Sequence, residues 1–163
     1  MSFQSRLDRF LAGKPTPVAG TVMASRLVFR VAHLLQARID AALAPLAITM
    51  QEYLALALIA DAAIEPLRPS DLSSTLDATR TQVTRLLDGL EHKGLAQRTP
   101  HAMDRRSLQL GLTAAGRTLL GHAQPLVHAA YEDAWKAMDT DELARTTTAL
   151  RQVHDRLWAK DRT

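Results

Sequence analysis

The chain has no cysteine among its 163 residues. That absence excludes disulfide cross-links, thiol catalysis and cysteine-based metal or redox sensing. It also suits a reducing compartment, and a cytoplasmic location is expected. Aromatic residues are scarce, at 4% of the chain, although 47% is hydrophobic. Alanine and leucine carry the apolar content, and both favour helices. The net charge is only +3, so any surface for nucleic acid must come from local clustering. No unbroken apolar run approaches the roughly 20 residues that span a bilayer. The opening MSFQSRLDRFLAGK lacks a signal-peptide core, so no membrane partner is expected. Catalytic signatures are missing too: there is no H-E-x-x-H, no Gly-rich phosphate loop and no G-x-S-x-G elbow. His128 and Glu132, spaced i, i+4, read as solvated side chains. Neither an enzyme, a cofactor nor a metal is expected.

What is present is helical periodicity, punctuated by caps. Phe3, Leu7, Phe10 and Leu11 lie on one face of a short N-terminal helix. After Gly13-Lys14-Pro15-Thr16-Pro17, a long helix is predicted over about 18–43. Its apolar stripe is Leu27, Val31, Leu34, Leu35 and Ile39, and Ala44-Pro45 ends it. Thr49-Met50-Gln51-Glu52 reads as a capping box and opens a nearly all-apolar central helix to about Ala62. A two-turn helix follows from Pro69 to about Leu76. Thr79 then caps a helix that closes at Gly94, a left-handed C-cap. Past Gly94 the period changes to alternation: Leu95–Arg98 forms one strand, and Leu108, Leu110 and Leu112 lie on one face of another. Thr99–Asp104 forms the loop between them. Thr113 caps a helix that Pro125 kinks or interrupts, reaching about Met138. Thr140 caps a last helix through about Trp158, with Leu143, Leu150, Val153 and Leu157 facing inward. The fold class is mainly α.

The segment from Pro69 to Leu112 carries the chemistry. A short helix, a tight turn and a second helix make a helix-turn-helix, and a two-stranded hairpin adds a β wing. With Val83, Leu86, Leu87 and Leu90 turned inward, the second helix offers Arg80, Thr81, Gln82, Thr84 and Arg85 to solvent. These side chains can hydrogen-bond base edges and phosphates, and they sit at the end that enters a major groove. Thr79 and the free N–H groups beside it can hold a phosphate. Asp104 precedes Arg105 and Arg106 at the hairpin tip. It is a turn residue and an ion-pair partner for the wing guanidiniums, which suit a minor groove. A lone arginine on a helix face is usually only solvated. Five of them (Arg80, Arg85, Arg98, Arg105 and Arg106), spread over two reading elements above an apolar seam, favour double-stranded DNA.

The stretches 68-RPSDLSSTLDATRTQVTRLLDGLEHKGLAQR-98 and 104-DRRSLQLGLTAAG-116 resemble the MarR family of winged helix-turn-helix transcriptional regulators, most closely its multidrug-efflux repressor branch. The resemblance implies three regions: 1–45, N-terminal helices contributing to dimerisation; 46–113, the winged DNA-binding domain; and 114–163, C-terminal dimerisation helices. It implies a homodimer on a pseudo-palindromic operator, with Leu150, Val153, Leu157 and Trp158 either at the dimer contact or packed within one protomer. Thr81, Gln82, Thr84 and Arg85 would face the major groove, Arg105 and Arg106 the minor groove, and Arg80 and Arg98 phosphates. A small aromatic carboxylate or phenolic effector would release the DNA, with Arg26, Arg30, His33 and Tyr53 as candidate contacts. Departures narrow this. The only tryptophans are Trp135 and Trp158, which disfavours urate, and the lack of cysteine disfavours peroxide sensing. A winged-helix architectural or protein-interaction module without ligand control is the alternative.

Overall fold

The computed structural model describes residues 3–61, 67, 69–100 and 108–160. Asp104, Arg105 and Arg106, expected at the wing tip, lie outside them. The helices are α1 (Phe3–Leu11), α2 (Thr16–Leu43), α3 (Met50–Asp61), α4 (Pro69–Thr75), α5 (Arg80–His92), α6 (Ala114–Trp135) and α7 (Thr140–Lys160). A two-stranded antiparallel sheet, β1 (Ala96–Pro100) and β2 (Leu108–Leu112), stands between α5 and α6. Thr99 and Pro100, expected in the loop, pair with Gln109 and Leu108 and so extend the hairpin.

The core surrounds α3. Ala55 and Leu56 are fully buried, packed with Ile39 and Leu43 from α2, Leu72 from α4, Leu87 and Leu90 from α5, and Ala123 and Val127 from α6. That so many faces of α3 touch neighbours explains its near-lack of polar residues. The α3 capping box forms as expected: the Thr49 N–H donates to Glu52 Oε2 at 2.9 Å, and the Glu52 N–H to Thr49 Oγ1 at 3.2 Å. Gly94 closes α5 at φ +68°. Asp77 takes φ +47° in the turn between α4 and α5, a geometry that aspartate tolerates better than most residues.

Gly116 of the L-T-x-x-G run has a steric reason. A Cβ there would lie 2.0 Å from the carbonyl oxygen of Leu95, a backbone atom with nowhere to move. The same carbonyl accepts from the Thr113 N–H at 3.1 Å. Oγ1 of Thr113 donates to the Gly94 carbonyl at 2.7 Å and accepts the Gly116 N–H at 3.0 Å. This knot joins the end of α5, the start of the hairpin and the start of α6.

Three expectations are narrowed or corrected. Of the two outcomes expected at Pro125, interruption does not occur: α6 is one helix from Ala114 to Trp135. The carbonyl that loses its partner belongs to Gly121, and both residues lie on an exposed face where water can serve it. The last helix is capped by Asp139 rather than Thr140: the Asp139 N–H donates to Glu142 Oε2 at 3.0 Å, and Asp139 Oδ1 accepts from the Glu142 N–H at 2.8 Å. The outer stripes also fail to face inward within one chain. Val31 and Leu34 are exposed on α2, as are Leu143, Leu150, Val153, Leu157 and Trp158 on α7. By length and composition, the helical segment Thr16–Leu46, which is α2 with the turn that follows it, is long and apolar enough to cross a membrane. Its last two turns nonetheless bury Ile39 and Leu43 completely in the core around α3.

Candidate nucleic-acid interface

Local chemistry sets α5 in place. Thr79 is the N-cap, with extended backbone, and its side chain accepts the Gln82 N–H at 3.3 Å. Gln82 Oε1 accepts in return from the Thr79 N–H at 2.8 Å and from its hydroxyl at 2.9 Å. Gln82 therefore spends its carbonyl on the cap and leaves its amide NH2 to donate outward. Thr84 Oγ1 donates to the Arg80 carbonyl at 2.9 Å, keeping its methyl group for contact. Val83, Leu87 and Leu90 are buried while Arg80, Thr81, Gln82, Thr84 and Arg85 are exposed, so the helix presents one apolar and one hydrogen-bonding face. Among the described residues neither Arg80 nor Arg85 has an ion-pair partner.

Arg98 behaves differently from the phosphate contact expected of it. Its guanidinium lies 2.8 Å from Asp88 Oδ1 and 2.7 Å from Glu91 Oε2, and its backbone N–H donates to Glu91 Oε1 at 3.0 Å. The side chain is three-quarters buried. Strand β1 is thereby tied to the outer turns of α5, and the charge of Arg98 is already neutralised. The pairing is not apparent from periodicity, because Asp88 and Glu91 come from another element than Arg98. Their i, i+3 spacing toward a basic strand start was the available signal.

The candidate effector residues are not brought together. Arg26, Arg30 and His33 are exposed around the middle of α2, and the Arg30 guanidinium stands 5.8 Å over the Phe3 ring. Tyr53 is buried against α6. Burial pushes its hydroxyl above the ordinary value, and Tyr131 adds to the shift. It borders an open cavity of about 310 Å³ with Ala57, Ala60, Asp61, Leu120 and Gln124, which none of the other three lines. A second open cavity, also about 310 Å³, lies between α2 and the end of α6, walled by Leu34, Leu35, Trp135 and Met138 with Arg38 at its edge. Beside it Arg38 and Lys136 both pair with Asp133. The hydrogen bond from Lys136 and the charge of Arg38 hold that carboxyl below its usual range. Among the described residues no three histidine or acidic side chains are grouped to hold a metal, and His128 and Glu132 are both exposed.

Comparison with known proteins agrees with this geometry. A sequence model of the MarR family matches residues 48–108. The transcriptional repressor MprA of Escherichia coli K12 is 35% identical over 91 residues, 56% of this chain and 52% of MprA, so the chain spans about half the length of that relative. The HTH-type transcriptional repressor Rv2887 of Mycobacterium tuberculosis is 30% identical over 134 residues, covering 82% of this chain and 89% of the repressor. Among solved structures, a mutant MarR of Escherichia coli complexed with operator DNA superposes with a TM-score of 0.74 at 27% identity, over 82% of this chain and 95% of that one. Rv2887 in complex with p-aminosalicylic acid superposes with a TM-score of 0.64 at 26% identity, over 80% and 97% of the two chains.

Proposed function

The chain belongs to the MarR family, and from that premise we propose that it is a DNA-binding transcriptional regulator, acting as a homodimer on a pseudo-palindromic operator. The observation that carries this reading is the α5 face: Arg80 and Arg85 are exposed and have no ion-pair partner among the described residues, beside Thr81 and the outward amide of Gln82, above a fully apolar seam. Unpaired guanidiniums at the leading end of a rigid helix suit phosphates and guanine edges in a major groove. Arg105 and Arg106 supply the wing contact, with Asp104 orienting one of them. Arg98 positions that wing by tying its base to α5.

A twofold body follows from the apolar residues left outside. Leu150, Val153, Leu157 and Trp158 form a face of α7, and Val31 and Leu34 extend one on α2. Two such faces in contact would remove these apolar side chains from water, and contiguous exposed apolar patches mark interaction sites. Residues 1–45 and 114–163 then serve as the dimerisation regions, and 46–113 as the reading domain. Repression is the proposed output, as in the named repressors that the chain resembles.

For the effector, we propose a small aromatic carboxylate or phenol, and since Asp61 would repel a carboxylate, only the phenol is assigned to the cavity that Tyr53 borders. Its size suits one ring, and the similar Rv2887 holds such an acid. The ligand releases DNA only if it binds the released state better than the DNA-bound state. A gel shift against the chain's own upstream region and against random DNA, in rising salt, tests the main reading. A regulator keeps its preference for the upstream site as salt weakens both. Equal affinity at every salt concentration would favour the architectural alternative.

A further inference from the structure

The joint between α2 and α3 holds a polar cluster that neither DNA contact nor core packing uses. Asp40, near the end of α2, accepts the Met50 N–H at 2.7 Å, so the long helix grips the first turn of α3. Glu52 in that turn caps it through Thr49 with one carboxylate oxygen. Its other oxygen accepts from Lys93 Nζ at 2.8 Å, and Lys93 also donates to the Ala47 carbonyl at 2.8 Å. Lys93 is the C-cap of α5. Three helices therefore meet in one clasp running from Asp40 to the α3 terminus, to Glu52 and to Lys93. The Glu52 side chain is only 13% exposed, so its charge needs this partner.

We infer that Lys93 is a positioning residue: through Glu52 and Ala47 it fixes the tilt of the recognition helix relative to α2. A lysine in the last turn also suits the helix dipole, but that role requires no carboxylate and no carbonyl from another element. Nor is Lys93 placed to touch the DNA read by α5. α5 has 13 residues, and at about 1.5 Å per residue its C-terminus stands roughly 20 Å from the end that carries Arg80. The angle matters because a dimer reads two half-sites at a set separation. A small rotation at the C-terminal anchor moves the leading end of each α5.

This inference rests on the dimeric regulator proposed above, and the absence of native cysteine allows a direct test. A single spin label at Thr81→Cys reports the distance between the two recognition helices of the DNA-free dimer. The intact clasp should give one narrow distribution. Lys93→Met and Glu52→Gln should each broaden it at least about twofold or displace it, Lys93→Arg should restore it, and the double variant should add little to either single one, as coupled partners require. Glu52→Gln retains an oxygen for the cap, so it reports the clasp even if Lys93→Met folds poorly. Distributions identical to the parent in both variants would overturn the inference. So would an unchanged distance accompanied by DNA affinity lost uniformly, with the salt slope reduced by about 1, because that marks a phosphate contact. Absence of any dipolar signal in the parent would overturn the dimer reading itself, and the positioning role with it.

Discussion

The residues around α3 and those of α7 follow the same helical periodicity and meet opposite fates. On α3, Ala55, Leu56 and Ile59 are buried to within a few per cent of complete exclusion from water. On α7, Leu150, Val153 and Leu157 repeat at helical spacing and stay between 43% and 62% exposed. The first helix has neighbours on nearly every side, supplied by its own chain. The second has an apolar stripe and none of its residues in the core. A stripe in sequence says that a partner exists; only the packing says whether the chain provides it.

The contrast can be broken most severely at the centre. Gly116→Ala places a methyl group where the Leu95 carbonyl stands, and neither backbone can yield cheaply. A loss of about 3 kcal/mol is expected in thermal or denaturant unfolding. A melting temperature equal to the parent's would mean that α6 slides freely over the hairpin. The arms should respond in another way. Val153→Asp together with Leu157→Asp should leave the secondary structure intact and raise the dimer dissociation constant at least about a hundredfold, from the burial lost at two apolar side chains per protomer. Sedimentation at several concentrations reads this directly, and an unchanged dimer would move the contact off α7.

A smaller effect separates surface from core on α5. Arg85→Ala should cost about tenfold in operator affinity, of the order expected for a charge-assisted contact, without moving the melting temperature. Arg98→Ala should lower stability and affinity together, since it frees Asp88 and Glu91 beside the wing. Parallel melting and DNA titrations distinguish the two variants. The smallest effect concerns Tyr53. Its folded-state hydroxyl holds the proton more tightly than the unfolded one, so its stabilisation is fully present below about pH 10 and lost as pH rises through the higher folded value. Tyr53→Phe should therefore melt with less alkaline sensitivity than the parent above pH 10. Identical alkaline profiles would place the tyrosine in contact with solvent in the folded state.

Much of this was legible in the residues. Thr49 with Glu52, Thr79, Thr113 and Gly94 announce helix ends through local hydrogen bonds and backbone geometry, and local rules suffice for them. The exposed polar face of α5 was legible because Val83, Leu87 and Leu90 fix its rotation. Arg98 was not, since its partners come from another element and only tertiary packing sets Asp88 and Glu91 beside it. The clasp at Lys93 was hidden for the same reason, its carboxylate lying 41 positions earlier in the chain. Arg26, Arg30 and His33 lie exposed on α2 while Tyr53 is buried on α3, so within one chain they do not line the cavity that Tyr53 borders.

Hydroxyl-radical footprinting of the chain on its own upstream DNA tests the central claim most directly. Two symmetric protected patches, centred about one helical turn (roughly 10 base pairs) apart, are expected from paired recognition helices on a twofold body. A single patch, or even protection along the fragment with no preferred position, would contradict the account.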